Sequence, residues 1–257
     1  MRFIFFGILF PFQLFSQTPT IDSLKNFLQV HPQEDTIRAN TLITLARAYM
    51  IEMNDQKKMQ EYNPQLLALS EKIGFKKGMA YAYMNMAFLS TGNGDGEKTM
   101  SYYFKALQLM EDTGFKPGIG SCYQNIGLAL NYQGKYAEAI QYTLKGIKIK
   151  EELNDEKGAA AGYNTIGNAY TKLGNYLEAL KYYFISLKLK EKMNDQLGAS
   201  VALLNIGSVL SSQGKLDAAR LYESKALAIS KALGDKQGEA LVYCNIGDLY
   251  FAQENYK

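Results

Sequence analysis

The 257-residue sequence has no tryptophan, one histidine, two cysteines and five prolines. Each scarcity narrows what the chain does. A metal centre or a nucleophile paired with imidazole draws on histidine, and His31 stands alone beside Pro32, where it reads as a surface residue at the end of a short helix. Two cysteines are too few for a disulfide framework. Cys122 and Cys244 therefore read as free thiols, and the repeat register given below sets them three repeats apart. No carboxylate pair stands out for acid-base work. The glycines of 92–96 are not followed by the Lys-Ser or Lys-Thr of a phosphate loop, so that segment reads as a connection between helices. Charge of one sign is scarce as well, with 28 Lys and Arg against 25 Asp and Glu. No concentrated basic stripe marks a nucleic-acid partner, and runs such as 145–150 alternate lysine with isoleucine in the manner of a solvated helix face. Neither cofactor, metal nor nucleic acid is implied, and an enzyme is not expected.

Long apolar runs are confined to one place. After Met1-Arg2, residues 3–15 carry no charge and only Gln13 is polar, before Ser16-Gln17 and a polar stretch. That is the layout of a signal peptide over 1–16. Export to the periplasm or the exterior is the expectation, with a mature start at Gln17. Pro11 interrupts the run, which is shorter than the roughly 20 apolar residues of a spanning helix, so a permanent anchor fits less well. Without a following cysteine, a lipoprotein signal is excluded.

What the chain has in abundance is tyrosine, 19 residues, and self-similarity. Shifted by forty residues it matches itself: 119–158, 159–198 and 199–238 are the best copies, 79–118 is looser, and 39–78 is looser still, with about one extra residue near 52–56. A helical lead-in over 17–38 precedes them and a partial copy, 239–257, follows. Each copy holds two amphipathic helical patterns. In one, Tyr163, Ile166, Ala169, Tyr170 and Leu173 recur at helical spacing, Gly174-Asn175 breaks the pattern, and Ala179, Leu180, Tyr183 and Leu187 resume it. Gly127, Gly167, Gly207 and Gly247 fall inside first helices, where glycine costs about 1 kcal/mol relative to alanine. Close approach of a neighbouring helix would repay that, and Ala139, Ala179 and Ala219 supply a matching small surface on the second helix.

The recurring pattern of an aromatic, then Ile-Gly, then Gly-x-Tyr-x-x-Ala resembles the tetratricopeptide repeat over about 39–257. The position usually given to tryptophan holds Tyr83, Tyr123, Tyr163, Leu203 and Tyr243, and the period exceeds the common 34 residues. That longer form is similar to the repeats of kinesin light chains and to exported repeat regions of bacterial histidine kinases and transcription regulators. The resemblance implies an all-α, right-handed superhelical solenoid of antiparallel helix pairs whose first helices line a concave groove for a protein or peptide. Just before each Ile-Gly, or Met86-Ala87 in the looser copy, stand Asn85, Asn125, Thr165, Asn205 and Asn245, with Asn164 and Asn168 flanking the threonine. In kinesin light chain repeats, asparagine here is implied to pair with the amides of an extended peptide. These amides serve either that ladder or hydrogen bonds inside the solenoid. Phe88, Leu128, Ser208 and Asp248 lie one turn on. Residues 254–257 align with the 174–177 turn, which predicts that the chain stops where another helix should begin. That open end reads either as the edge of a fragment or as a further association surface, and the chain is read either as a scaffold or as the sensory portion of a longer signalling protein.

Overall fold

The computed structural model describes residues 20–51 and 55–255, with side chains for 20–50 and 55–247. The 1–16 segment read as an export signal lies outside the described residues. The chain forms α1 (Ile21–Val30), α2 (Thr36–Ile51), α3 (Gln56–Lys72), α4 (Lys76–Gly92), α5 (Gly96–Thr113), α6 (Lys116–Tyr132), α7 (Tyr136–Glu152), α8 (Glu156–Lys172), α9 (Tyr176–Lys192), α10 (Gln196–Ser212), α11 (Leu216–Leu233) and α12 (Lys236–Asn255). No strand occurs among the described residues, and each helix packs chiefly on its sequence neighbours. This is an all-α solenoid of antiparallel helix pairs.

Local chemistry sets the boundaries. Asp95, Asp155 and Asp195 cap α5, α8 and α10 by accepting from the amides of Lys98, Gly158 and Gly198 at 3.1, 2.8 and 2.9 Å. Such a cap contributes about 1 kcal/mol. Between helices the backbone turns left-handed. Gly94, Gly134, Gly174 and Gly214 do so within pairs at φ of 73–75°, and Asn154 and Asn194 between pairs at 55°. Asparagine tolerates that region because its short polar side chain bonds locally. The Asp55 amide closes onto Tyr49 O, six residues back, whereas Lys135 closes onto Leu130 O, five back.

One expectation needs correction. The 254–257 segment was aligned with the Gly174 turn, yet α12 runs on as helix to Asn255. Glutamate at 254 lacks glycine's easy access to left-handed backbone, so the helix continues.

The core is a column of small and branched side chains. Ala87, Ile126, Ile166 and Ile206 on the first helices, and Ala139, Ala179 and Ala219 on the second, are all buried. Full burial of an isoleucine contributes about 1.5–3 kcal/mol. A Cβ added at Gly127 would sit 2.0 Å from Thr143 Oγ1 and 2.9 Å from Ala139 O; at Gly167, 2.5 Å from the Tyr183 ring; at Gly207, 2.7 Å from Glu223 Cγ. At Gly247 nothing lies within 4 Å among the described residues. Tyrosines on first and second helices stack face to face on one flank, Tyr83 on Tyr102 and Tyr163 on Tyr182 at 6.0 Å between ring centres.

Successive first helices are drawn together by short polar links. Gln124 Nε2 donates to Gly158 O at 2.8 Å, and Asn131 Nδ2 to Thr165 O at 2.9 Å. Second helices meet through whole rings, Phe104 against Tyr142 at 6.1 Å and Phe184 against Tyr222 at 5.8 Å. Narrow spacers on one side and wide ones on the other curve the stack, leaving the first helices on the inner face.

Candidate functional site

The inner face carries two adjoining hollows. The first, about 350 Å³, lies between α4 and α6, with Phe88, Asn125, Leu128 and Tyr132 on its walls and Tyr103 at its base. The second, about 320 Å³, runs from α6 across α8 to α10 and is lined by Asn131, Asn168, Thr171, Lys172, Asn205 and Ser208 among others. Leu128 and Tyr132 border both. Phe88, Leu128 and Tyr132 are 38, 39 and 73% exposed, a concentration of apolar surface facing solvent on a concave face.

All six asparagines singled out above are half-buried. They divide by partner. Asn85 Nδ2 donates to Asn63 Oδ1 at 2.9 Å, and buried Asn63 in turn donates to Ala82 O at 3.1 Å. Asn205 Nδ2 donates to Asn164 Oδ1 at 2.9 Å, and Asn168 Oδ1 accepts from the Tyr183 hydroxyl at 2.7 Å. The Asn125 side chain makes no hydrogen bond among the described residues and faces the first hollow, while Asn245 lies on α12 beyond both hollows. Each amide has two N–H donors and a carbonyl with two lone pairs, so one internal bond leaves capacity for a ligand. Asn125 keeps all of its capacity.

The contributors not singled out from sequence include Gln56, Asn63, Tyr103, Asn131, Tyr132 and Lys172. Tyr132 was within reach, because it follows Leu128 by four residues and Asn125 by seven, which places the three on one helix face. Among the described residues Asn131 Oδ1 is buried with no hydrogen-bond partner.

Burial pushes the Tyr103 and Tyr183 hydroxyls up to about 12, so both remain neutral donors at ordinary pH. It also pushes the Cys122 thiol up to about 12, which removes the thiolate a nucleophile needs, whereas Cys244 is exposed. His31 caps α1 and pairs with Asp35 at 3.0 Å, far in sequence from the hollows. Among the described residues no group of three His, Cys, Asp or Glu side chains is placed to hold a metal ion, and no helix is long and apolar enough to cross a membrane.

Residues 78–152 and 158–232 match the family model described as tetratricopeptide repeat, which together is more than half of the chain. No curated protein matches the sequence. Among solved structures, a Rap protein complexed with competence and sporulation factor is similar at TM-score 0.66 and 20% identity, over 92% of this chain and 71% of that one. A signal transduction ATPase with numerous domains and a tetratricopeptide repeat sensor, from Pyrococcus horikoshii, gives TM-score 0.69 at 17% identity over 91% of this chain. This chain spans only 36% of that protein. The nearly identical repeats of a candidate kinesin light chain from Podosopora anserina give 0.59 at 14% identity, over 77% of this chain and 96% of theirs. At such identities the likeness is one of fold.

Proposed function

The chain belongs to the tetratricopeptide repeat family, and from that premise we propose that it holds an extended peptide or protein segment along the inner faces of α4, α6, α8 and α10, with no catalytic step of its own. The observation that carries this is the pair of hollows meeting at Leu128 and Tyr132, where exposed apolar side chains surround an asparagine amide without a partner. An extended peptide supplies what the inner face lacks: apolar side chains for the hollows and backbone amides for Asn125. The Rap structure, a repeat protein of similar fold with a factor bound, is support by analogy.

The test is selection of a phage-displayed random decapeptide library on the purified chain, beside a variant carrying Leu128→Glu and Tyr132→Glu. Both side chains are exposed, so the variant should keep its helical circular dichroism. Recovery of peptides by the native chain and their loss from the variant is the expected result. Recovery of none, or equal recovery by both, would sink the groove reading.

A further inference from the structure

The two hollows are built on the same repeat positions, two copies apart, and one exchange of residue separates them. In the second hollow the Tyr183 hydroxyl donates to Asn168 Oδ1 at 2.7 Å and lies 3.2 Å from Thr171 Oγ1, and all three residues line that hollow. Eighty residues earlier the same positions hold Tyr103, Phe88 and Thr91, and all three line the first hollow. Phenylalanine offers no acceptor where asparagine did, and Thr91 gives its proton to Ala87 O at 2.9 Å.

The Tyr103 hydroxyl is therefore left without a hydrogen-bond partner among the described residues, on a side chain only 5% exposed. It is not among the polar atoms sealed from solvent, so its remaining surface opens into the hollow that the residue lines. The walls around it are mostly apolar, with Phe88, Leu128 and Tyr132 beside the unpartnered Asn125 amide. No charged residue lines this hollow, so an ionised occupant would give up its hydration with no opposite charge to meet it. At about 350 Å³ the space lies at the lower end for a ligand site and suits one large side chain.

We propose that the first hollow anchors one aromatic side chain of the bound peptide that ends in a neutral polar group, tyrosine or tryptophan, and that the Tyr103 hydroxyl selects it over phenylalanine and leucine. This deepens the groove reading and rests on it. The apolar walls take the ring and the hydroxyl takes its polar edge, accepting from an indole N–H or exchanging a hydrogen bond with a phenol. Phenylalanine would fill the same space and keep water from the hydroxyl without giving it a partner, which is the costly arrangement for a buried polar group.

A positional-scanning library of synthetic decapeptides, read by fluorescence anisotropy on the purified chain, locates the anchor as the position most enriched in aromatic residues. The tightest decapeptide is then made with Tyr, Trp, Phe or Leu there. Tyr or Trp should bind the native chain roughly three- to tenfold tighter than Phe, the size of one neutral hydrogen bond. Tyr103→Phe deletes a hydroxyl that no described residue uses, so it should keep the native melting temperature, bind the Phe peptide undiminished and erase the preference. Tyr183→Phe deletes a hydroxyl already committed to Asn168 and should keep the preference. No aromatic enrichment at any position, Phe binding the native chain as tightly as the better of Tyr and Trp, or a preference that survives Tyr103→Phe overturns the proposal and leaves the groove reading standing. If the native chain binds no decapeptide at all, the groove reading falls and this one with it.

Discussion

Gly127 and Gly247 occupy the same place in the repeated Ile-Gly pattern, so a sequence argument treats Gly→Ala alike at both. The structure does not. At Gly127 the new methyl would lie 2.0 Å from Thr143 Oγ1, 2.9 Å from Ala139 O and 3.1 Å from Thr143 N. Thr143 is fully buried and its hydroxyl already donates to Ala139 O at 2.7 Å, so it has little freedom to swing aside. Two of the three contacts are backbone, and α7 itself must retreat. Overpacking of this kind costs about 1–3 kcal/mol, and the helix gains about 1 kcal/mol from alanine. With backbone in the way the cost sits near the top of its range, for a net loss of about 2 kcal/mol. At Gly247 the methyl meets nothing within 4 Å among the described residues, so against those residues only the propensity gain, up to about 1 kcal/mol, remains. Identical substitutions should therefore differ by about 2–3 kcal/mol and in sign. Repeat arrays do not always unfold as one unit, so native-state hydrogen exchange of α6, α7 and α12 amides is the assay, with urea unfolding beside it. Equal changes at the two sites, or stabilisation by Gly127→Ala, would refute the close-packing argument.

Two further outcomes are expected. Asn85→Ala should lower stability by about 1–3 kcal/mol, because it strips buried Asn63 of the donor to its Oδ1, whereas Asn125→Ala should leave the melting temperature unchanged and weaken peptide binding; thermal melts with anisotropy on the same samples would expose the opposite pattern. Lys190 is 9% exposed, and burial holds its ammonium below the ordinary 10.5, with Asp195 opposing in part. The unfolded chain then binds the more protons, so this lysine's contribution to stability rises as pH climbs through its folded-state pKa toward 10.5. Lys190→Met should flatten the melting temperature between pH 7 and 10 relative to the native chain, and an unchanged slope would show that the burial argument fails.

The fold was legible because its determinants repeat. Ile126, Ile166 and Ile206 recur at one spacing and all are fully buried, so the helical pattern and the core coincide. Helix ends follow local chemistry, as at the caps Asp155 and Asp195. The asparagines were not legible, because their state depends on partners that the period does not fix. Asn85 finds Asn63 on α3, a helix whose sequence matches the other copies poorly, and Asn205 finds Asn164 one position away from the aligned threonine. Sequence left open whether such amides face a ligand or one another. The structure distributes them between the two, with Asn125 free and Asn85, Asn164, Asn168 and Asn205 engaged.

Repetition also explains what was overlooked. Aligning the copies draws attention to residues that stay the same, and in a solenoid those are the ones each unit needs to stack on the next. A groove that selects one ligand must differ from repeat to repeat, since identical units present identical surfaces and cannot fix a register. Tyr132 stands where the other first helices have Gly92, Lys172 and Ser212, and for that reason no consensus contains it. It is also the most exposed large side chain bordering both hollows. The variable inner positions, rather than the conspicuous Ile-Gly pairs, are where this chain's choice of partner is written.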